Sequence, residues 1–456
     1  MAGAATTTAV REIERLRVSP PPGSVSSTNI ELSYFDVLWV GIHLVTRLFF
    51  FRLPDVSTHE FQQTQFPALV EALSLALKIF YPLAGRLTRS PDDPDDFVIS
   101  YVDGDSVPIT LAEDSTTDFE ILIGNQMRDA EQLRPLVPAL PEPEDPDGKQ
   151  PLLALQLTVF PGSGVCLGII LHHTATDGTG FANFVKSWAS IFKAGGGDVA
   201  SAAKTVPSFD RAVVGDHRQL KRDFYEEAKR VASRKRGEPV PRPRPARLVL
   251  ATFPLTRSHL EKLRGLVSSS GRDVGPRPST FQLTFAYTWV CSIKARGLTE
   301  RERVHAAFAA DFRTRLRPPV PVNFFGNCIG AIFVEGSGPE LSGKEGIAVG
   351  SELVHRATRE AWEDPMRDAV SWITRFVELA SERILSVAAS PRLRAYETDF
   401  GWGPPRKTEV TSILNGGAIS LAESREEPGG VEIGYGGPQP EVELFASVFE
   451  EGLGCM

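Results

Sequence analysis

Cysteine, histidine and long apolar runs are all scarce in this chain of 456 residues. The four cysteines share no short spacing, which excludes a zinc ribbon and a C-x-x-C redox motif. The most apolar long segment, residues 36–51, is too short to span a bilayer and carries His43 and Arg47. The first residues lack the basic start and apolar centre of a secretory signal. We therefore expect a cytosolic protein with no membrane partner.

Basic charge is also in deficit. The chain has 49 Lys and Arg against 57 Asp and Glu, a formal net charge of -8, so its overall field repels polyanions and disfavours nucleic-acid binding. Hydrophobic residues make up 42% and charged residues 23%, which is typical of a soluble globular protein. The length predicts roughly two or three domains, or two large ones.

Strand-like and helical patterns alternate along the chain and predict an α/β protein. Residues 61–80 have a helical pattern and residues 95–102 a strand pattern. A Gly- and Ala-rich break near 193–207 has the composition of a crossover between domains. We predict an N-terminal domain over 1–195, a crossover linker over 196–215 and a C-terminal domain over 216–456. The basic segment 218–236 is interpreted as a solvated helix and loop, with a phosphate site as the alternative, because acidic residues occur in it at helical spacing.

The sequence LHHTATDG, residues 171–178, follows the apolar run VCLGIIL. Both faces of that run are mostly apolar, which predicts a central strand with His173 at its end, before a turn of small residues. The next segment places Phe181, Phe184 and Trp188 on one helical face. A histidine at the end of a buried strand can meet a substrate, and its reference pKa of about 6.5 suits a general base.

Three other interpretations of the two histidines are weaker or remain open. They could simply cap the strand end. A metal site is disfavoured, because adjacent strand residues point to opposite faces and no further His or Cys cluster offers a ligand. Covalent acyl-enzyme chemistry is disfavoured as well, since the chain has no G-x-S-x-G nucleophile elbow.

H-x-x-x-D-G at 173–178 and D-F-G-W-G at 399–403, in this order and separated by some 220 residues, resemble the two motifs of the plant BAHD acyl-CoA-dependent acyltransferases. Other stretches are similar to the same family: FYPLAGRL, STFQLTFAYTWVCSIKAR, DFRTRLRPPVPVNFFGNCIG and, near the end, FASVFEEGL. The FFGNC form at 324–328 and the segment 390–410 most resemble the branch that acylates anthocyanin, flavonoid and phenolic glycosides.

The resemblance implies a fold of two similar α/β domains, each with a mixed sheet flanked by helices, as in chloramphenicol acetyltransferase, with a solvent channel between them. It implies that His173 is the general base of an acyl transfer that needs no metal and no bound cofactor. The acyl-CoA is a co-substrate, and the enzyme is expected to be a monomer.

The resemblance also assigns roles to other residues. Asp177 and Asp399 are candidates for the catalytic set, although the position of Asp177 in this family is associated with a salt bridge, for which Arg313 is the expected partner. For Asp399 a structural role in the D-F-G-W-G loop is favoured over an acid or base role. The motif residues expected to be structural are Gly178, Phe400, Gly401, Trp402 and Gly403.

Coenzyme A brings phosphates to an acidic protein, so local donors are required. Ser279 and Thr280 precede a helical pattern, where they could bind a phosphate or pantetheine, or act only as a helix cap. Arg406 and Lys407 follow the tryptophan loop and could meet a phosphate or a carboxylate of the donor.

Malonyl-CoA is the expected donor, and the sugar 6-hydroxyl of a phenolic glycoside is the expected nucleophile. A basic residue soon after Gly178 would strengthen that expectation, but Thr179 and Gly180 stand there and Lys186 is the nearest cation. A hydroxycinnamoyl-CoA-dependent transferase acting on a glycoside, alcohol or amine is therefore the alternative. A condensation-domain-like protein and a catalytically silent binding protein are the remoter ones.

Overall fold

The computed structural model describes residues 10–40, 44–142, 149–197, 205–215, 218–234, 247–415 and 417–455. Part of the expected crossover, residues 198–204, and the end of the basic segment beyond residue 234 lie outside this range. The described strands are β1 Val10–Val18, β2 Thr28–Glu31, β3 Leu44–Arg52, β4 Arg86–Arg89, β5 Phe97–Tyr101, β6 Val107–Asp114, β7 Arg128–Asp129, β8 Gln150–Pro151, β9 Leu153–Phe160, β10 Gly164–His172, β11 Leu248–Leu255, β12 Val304–Asp311, β13 Ile329–Gly336, β14 Leu385–Ala388, β15 Lys407–Val410, β16 Ala418–Glu423 and β17 Val431–Pro438.

Thirteen helices are described alongside these strands, and several short 3-10 turns connect them. They are α1 Tyr34–Val37, α2 Thr58–Gln63, α3 Gln65–Ile79, α4 Phe119–Ile123, α5 Ala130–Leu133, α6 Gly178–Lys193, α7 Arg218–Arg234, α8 Arg257–Ser268, α9 Thr280–Ala295, α10 Gly338–Ser342, α11 Gly346–Glu363, α12 Trp372–Ser381 and α13 Gln439–Gly454. The α/β class predicted from the sequence is confirmed.

The strands form two large mixed sheets and one small antiparallel sheet. The first sheet has the order β1-β6-β9-β10-β3-β15, the second β13-β12-β14-β16-β17-β11-β7, and the third β2-β5-β4-β8. Parallel pairs occur between β6 and β9, between β12 and β14, and between β14 and β16. Each large sheet ends in a strand from the other half of the sequence, because β15 pairs with β3 and β7 pairs with β11.

The expected central strand is β10, which pairs with β9 on one side and β3 on the other. It is buried along its whole length, as its two apolar faces predict. The helical face formed by Phe181, Phe184 and Trp188 is buried on α6, directly after the histidine turn. The 61–80 pattern is two helices rather than one, since α2 ends at Gln63 and Thr64 separates it from α3.

Both lysines of the basic helix α7 are paired with carboxylates. Lys221 Nζ lies 2.6 Å from Asp96 Oδ2, and Lys229 Nζ lies 3.0 Å from Glu226 Oε1. These contacts favour the interpretation of a solvated structural helix for the described part of the segment. None of the helices within the described ranges is both long and apolar enough to cross a membrane.

Candidate active site

The two adjacent histidines have different environments. His172 ends β10, is buried, and accepts the N–H of Thr174 through Nδ1 at 3.3 Å. Burial, with a smaller contribution from His173, lowers the pKa of His172 to about 4. His173 begins the 3-10 turn His173–Ala175 and keeps part of its surface exposed. His172 is therefore a neutral group that caps the turn, whereas His173 is placed to meet a ligand.

The hydrogen bonds of Asn327 fix the tautomer of His173. Asn327 Nδ2 donates to Asp36 Oδ1 at 2.8 Å and to the carbonyl of His173 at 2.9 Å. Its Oδ1 is therefore the atom that faces His173 Nδ1, at 3.0 Å. An amide oxygen only accepts, so Nδ1 carries the proton and Nε2 holds the lone pair. This arrangement leaves Nε2 as the basic atom.

A buried carboxylate and a buried guanidinium hold this amide in place. Asp36 Oδ1 also accepts the backbone N–H of Asn327 at 2.9 Å, and its Oδ2 accepts from Arg211 Nε at 3.0 Å. Arg211 further donates to the carbonyl of Ala175 at 3.2 Å and to that of Phe325. The histidine turn and the FFGNC segment are thus tied to one ion pair.

Trp39 covers one face of the catalytic candidate. Its ring stacks on the imidazole of His173 with centroids 3.8 Å apart and planes 16° apart. The indole restricts rotation of the imidazole, and its face is favourable for a ring that becomes positively charged. Sequence inspection did not identify Trp39, Asp36, Arg211 or Asn327 as site residues, although Asp36 in an apolar run and the FFGNC stretch were signals.

Burial lowers the pKa of His173 below its usual value, and the negative charge of Asp177, the Asn327 hydrogen bond and Asp36 offset only part of this effect. The imidazole is consequently neutral at neutral pH. A neutral imidazole with its lone pair on Nε2 is the form that a general base requires.

Asp177 is part of the scaffold around the histidine. Its Oδ2 lies 2.8 Å from Arg313 Nη1 and accepts the N–H of Cys328 at 3.1 Å. Its Oδ1 caps α6 by accepting the N–H of Thr179 at 3.0 Å. The expected ion pair with Arg313 is present. Within the described residues, no hydrogen bond joins the Asp177 carboxylate to His173.

Asp399 binds its own loop. Its Oδ1 accepts the N–H groups of Gly401 at 2.7 Å and Gly403 at 2.9 Å, and its Oδ2 lies 2.5 Å from Lys193 Nζ. Burial raises the pKa of Asp399, but the Lys193 and backbone hydrogen bonds outweigh it and hold the pKa below its ordinary value. An ionised carboxylate with these partners fits a structural role better than that of a general acid.

The aromatic residues of the same loop join it to the first sheet. Phe400 is buried and contacts Phe51 on β3 and Trp188 on α6, with ring centroids 5.7 and 5.0 Å apart. Trp402 lies 5.3 Å from Phe51. Gly401 has φ +91° and Gly403 φ +83°, a backbone region that favours glycine. The loop thus depends on both its glycines and its aromatic rings.

The four predicted donor-binding residues have different environments. Ser279 caps α9, where its Oγ accepts the N–H of Gln282 at 3.1 Å, and Thr280 is the first residue of that helix. Arg406 is exposed. Lys407 is fully buried, and its Nζ donates to Thr252 Oγ1 at 2.7 Å and Asn125 Oδ1 at 2.9 Å.

Lys407 is also 3.6 Å from Glu409 Oε1 and 3.7 Å from Glu432 Oε2. A contact between its ammonium and a donor would require this cluster to open. The contacts of Lys407 are thus with other polar side chains, whereas His173 is bonded to Asn327 and Asp177 to Arg313. In the described ranges, no group of three or more His, Cys, Asp or Glu side chains is arranged to hold a metal ion.

Comparison with known proteins gives a consistent result along the whole chain. The model of the Transferase family matches residues 9–451. Phenolic glucoside malonyltransferase 1 of Nicotiana tabacum is 36% identical, with 90% of this chain and 91% of that protein covered. The malonyl-coenzyme:anthocyanin 5-O-glucoside-6'''-O-malonyltransferase of Salvia splendens is 34% identical, with 98% of this chain and 96% of that protein covered.

A coumaroyl-CoA:anthocyanidin 3-O-glucoside-6''-O-coumaroyltransferase of Arabidopsis thaliana is 33% identical, with 97% of both chains covered. Among solved structures, vinorine synthase matches with a TM-score of 0.66 at 22% identity, covering 95% of this chain and 96% of that one. TRI101 of F. sporotrichioides, solved with coenzyme A and T-2, matches with a TM-score of 0.64 at 14% identity. The match covers 92% of this chain and 97% of that one. At these identities the two structures show that the fold is shared.

Proposed function

Since the chain belongs to the Transferase family of BAHD acyltransferases, we propose that this acyltransferase moves a malonyl group from coenzyme A to a sugar hydroxyl of a phenolic, flavonoid or anthocyanin glucoside. The observation that carries the proposal is the imidazole of His173, whose Nδ1 is bonded to Asn327 Oδ1 so that Nε2 is left as the base. The choice of a glucoside acceptor and a malonyl donor is based on the names of the relatives in tobacco and Salvia, which are glucoside malonyltransferases.

In the proposed reaction, His173 Nε2 removes the proton of the acceptor hydroxyl as its oxygen attacks the thioester carbon. The tetrahedral intermediate then expels the coenzyme A thiolate, which takes the proton back from Nε2. General-base catalysis contributes roughly 10² to 10⁴ in rate, so positioning of both substrates must supply much of the remainder. No covalent acyl-enzyme is formed in this scheme.

The neighbours of His173 have supporting roles in this scheme. Asn327 keeps the tautomer throughout, because Nδ1–H donates to the same oxygen in the neutral and protonated ring. Asp36 and the Trp39 ring favour the imidazolium that forms during attack. Asp177 with Arg313, and Asp399 with Lys193, hold the two motif loops. We assign both aspartates to positioning rather than to proton transfer.

Donor binding is the less constrained part of the proposal. The α9 start at Ser279 and Thr280 offers backbone N–H groups and hydroxyls to a phosphate or pantetheine, and exposed Arg406 offers a cation. We further propose a channel between domains 1–195 and 216–456, in which His173 faces donor and acceptor, and a cytosolic monomer.

A second donor class is supported by the relatives themselves, because a coumaroyltransferase of Arabidopsis is about as similar to this chain as the malonyltransferases are. A competition assay separates the two. Purified protein is given a panel of flavonoid glucosides with equal malonyl-, acetyl- and p-coumaroyl-CoA, and products are identified by mass. We expect malonyl glucosides to dominate. Dominant p-coumaroyl products would overturn the donor assignment, and equal acylation of aglycones or amines would overturn the acceptor assignment.

A further inference from the structure

The end of the crossover is more than a linker between the two halves of the chain. Its described part, residues 205–215, is bonded to elements of the candidate active site. Ser208 pairs with Phe324 in a parallel bridge, and the carbonyl of Val214 accepts from Tyr34 Oη on α1 at 3.2 Å. The segment therefore contacts α1 and the FFGNC stretch, the two elements that supply the carboxylate and the amide beside the histidine.

Arg211 is the residue through which this segment reaches the site. It is buried, and its Nε donates to Asp36 Oδ2 at 3.0 Å. Its Nη2 donates to the carbonyl of Ala175 at 3.2 Å, and its Nη1 to that of Phe325. Its Cζ lies 5.3 Å from the centre of the Phe324 ring. One cation thus joins the crossover, α1, the histidine turn and the FFGNC stretch.

Asp36, the partner of this cation, is surrounded by donors. Its Oδ2 accepts the N–H and Oγ–H of Ser33 at 2.9 and 2.8 Å as well as the Nε–H of Arg211. Its Oδ1 accepts from the backbone N–H and the Nδ2 of Asn327. Oxygens that only accept are those of an ionised carboxylate. Among the described residues, Arg211 is the one cation paired with this carboxylate.

The orientation of the Asn327 amide depends on both groups that Arg211 holds. Its Nδ2 faces Asp36 Oδ1 and also the carbonyls of His173 and Thr174, at 2.9 and 3.4 Å. Arg211 bonds the carboxylate directly and bonds the histidine turn through a backbone carbonyl. A flipped amide would present Nδ2 to the imidazole and select the opposite tautomer, with the lone pair on Nδ1.

We propose that Arg211 is a positioning residue of the acyl transfer, which keeps the lone pair of His173 on Nε2. It does so by holding the Asp36 carboxylate and the histidine turn, the two groups that orient the Asn327 amide. This inference rests on the proposed function and adds to it a residue that acts through others rather than on a substrate. Lysine cannot take this place, because an ammonium lacks the planar array of donors that reaches a carboxylate and two carbonyls at once.

The test compares Arg211→Lys with the wild type and with Arg296→Lys. Arg296 is a matched control, because both arginines are 8% exposed and have the same kinds of partner. The Nε of Arg296 donates to Glu441 Oε1 at 2.9 Å, and its Nη atoms donate to the carbonyls of Arg383 and Gly417. Within the described residues, none of these partners is hydrogen-bonded to the histidine turn.

The position of the proton is measured by the nitrogen NMR chemical shifts of histidine-labelled protein, with His173→Ala used to assign the signals. In the wild type we expect Nδ1 to carry the proton and Nε2 to be free of it. In Arg211→Lys we expect both tautomers to be populated. We expect kcat to fall by at least about tenfold, since a histidine in the wrong tautomer can lose roughly 10⁴ in kcat, while KM for both substrates changes little. Arg296→Lys should lower the melting temperature and keep the wild-type tautomer.

A single wild-type tautomer in Arg211→Lys would overturn the role of Arg211, even if the variant melts at a lower temperature. The same mixture of tautomers in Arg296→Lys would overturn it as well. If Arg211→Lys does not fold, the spectra of the wild type decide. Two tautomers of His173, or an Arg211 Nε–H that exchanges freely with water, would then overturn the role, and one Nδ1–H tautomer with a protected Nε–H would support it.

These spectra need no turnover, so they separate this inference from the proposed function. If the tautomer of His173 depends on Arg211 but the wild type acylates no glucoside, the proposed function is contradicted and the positioning role of Arg211 is supported. If the wild type acylates glucosides and the tautomer is independent of Arg211, the opposite holds.

Discussion

At the scale of single residues, the site is defined by groups that are far apart in the sequence. Asn327 is 154 residues from His173 and 291 residues from Asp36, yet its one side chain bonds both. The motif identified His173, because a histidine after a fully apolar strand is visible in the sequence. Its tautomer was not predictable, since it depends on which atom of a distant amide faces the ring.

The residue-scale prediction is that His173→Ala abolishes transfer without loss of the fold. The side chain is partly exposed and contributes a proton acceptor rather than core volume, so we expect at least about a 10² loss of kcat with donor affinity and melting temperature near wild type. Steady-state kinetics, calorimetry and thermal unfolding measure the three quantities. A variant that retains a tenth of the turnover would exclude the general-base role.

The general-base role of His173 also predicts how kcat/KM of the wild type depends on pH. Since burial lowers the pKa of His173, the base stays deprotonated at lower pH than an ordinary histidine. We expect kcat/KM to be level around neutral pH and to fall only as the pH drops below about 6.5, the reference value. A fall that begins well above neutral pH would point to another group as the base.

At the scale of elements, the site depends on the connection between β10 and α6. The periodicity of the sequence predicted both elements, since their apolar patterns are local. The periodicity did not predict the break at Thr64 between α2 and α3. It also did not predict that the turn between β10 and α6 would be bonded to residues beyond position 300. Arg313 and Cys328 reach Asp177 from the ends of β12 and β13, and such pairings leave no periodic signal.

The element-scale prediction is that Asp177→Asn lowers stability. Removing one charge from a buried ion pair costs roughly 3–5 kcal/mol, and Arg313 would be left without its closest carboxylate. Melting temperature and soluble yield should both fall. Asp118→Asn is the matched control: Asp118 is exposed and caps α4 by accepting the Glu120 N–H, and asparagine caps helices about as well. An unchanged melting temperature with an altered pH profile would favour a relay to His173 instead.

At the scale of the molecule, two exchanged strands join the halves of the chain. Glu409 on β15 and Arg128 on β7 form a fully buried ion pair of 2.6 Å. The two large sheets are therefore linked through the strands that each contains from the other half of the sequence. Strands of two and four residues are too short for sequence patterns to assign. The α/β class was therefore predictable, whereas the interlocking of the sheets was not.

The molecule-scale prediction is that the two large sheets unfold together. Hydrogen exchange in urea, followed by mass spectrometry at peptides from β10 and β17, should give coincident transitions. Glu409→Gln should shift both by the same amount, about 3–5 kcal/mol for a broken buried pair. Glu335→Gln, at the exposed pair with Arg303, should cost about 1 kcal/mol or less. Separate transitions, or a shift at one peptide alone, would contradict a single cooperative unit.

The pairing of β15 with β3 also has a consequence for how the protein is made. Residues 407–410 emerge from the ribosome long after residues 44–52, so the edge of β3 that includes Phe49 and Phe50 lacks its final partner strand through most of synthesis. An open strand edge of this kind invites pairing with another chain. We therefore expect a stalled or truncated product that ends before β15 to keep this edge open and to aggregate more readily than the complete chain.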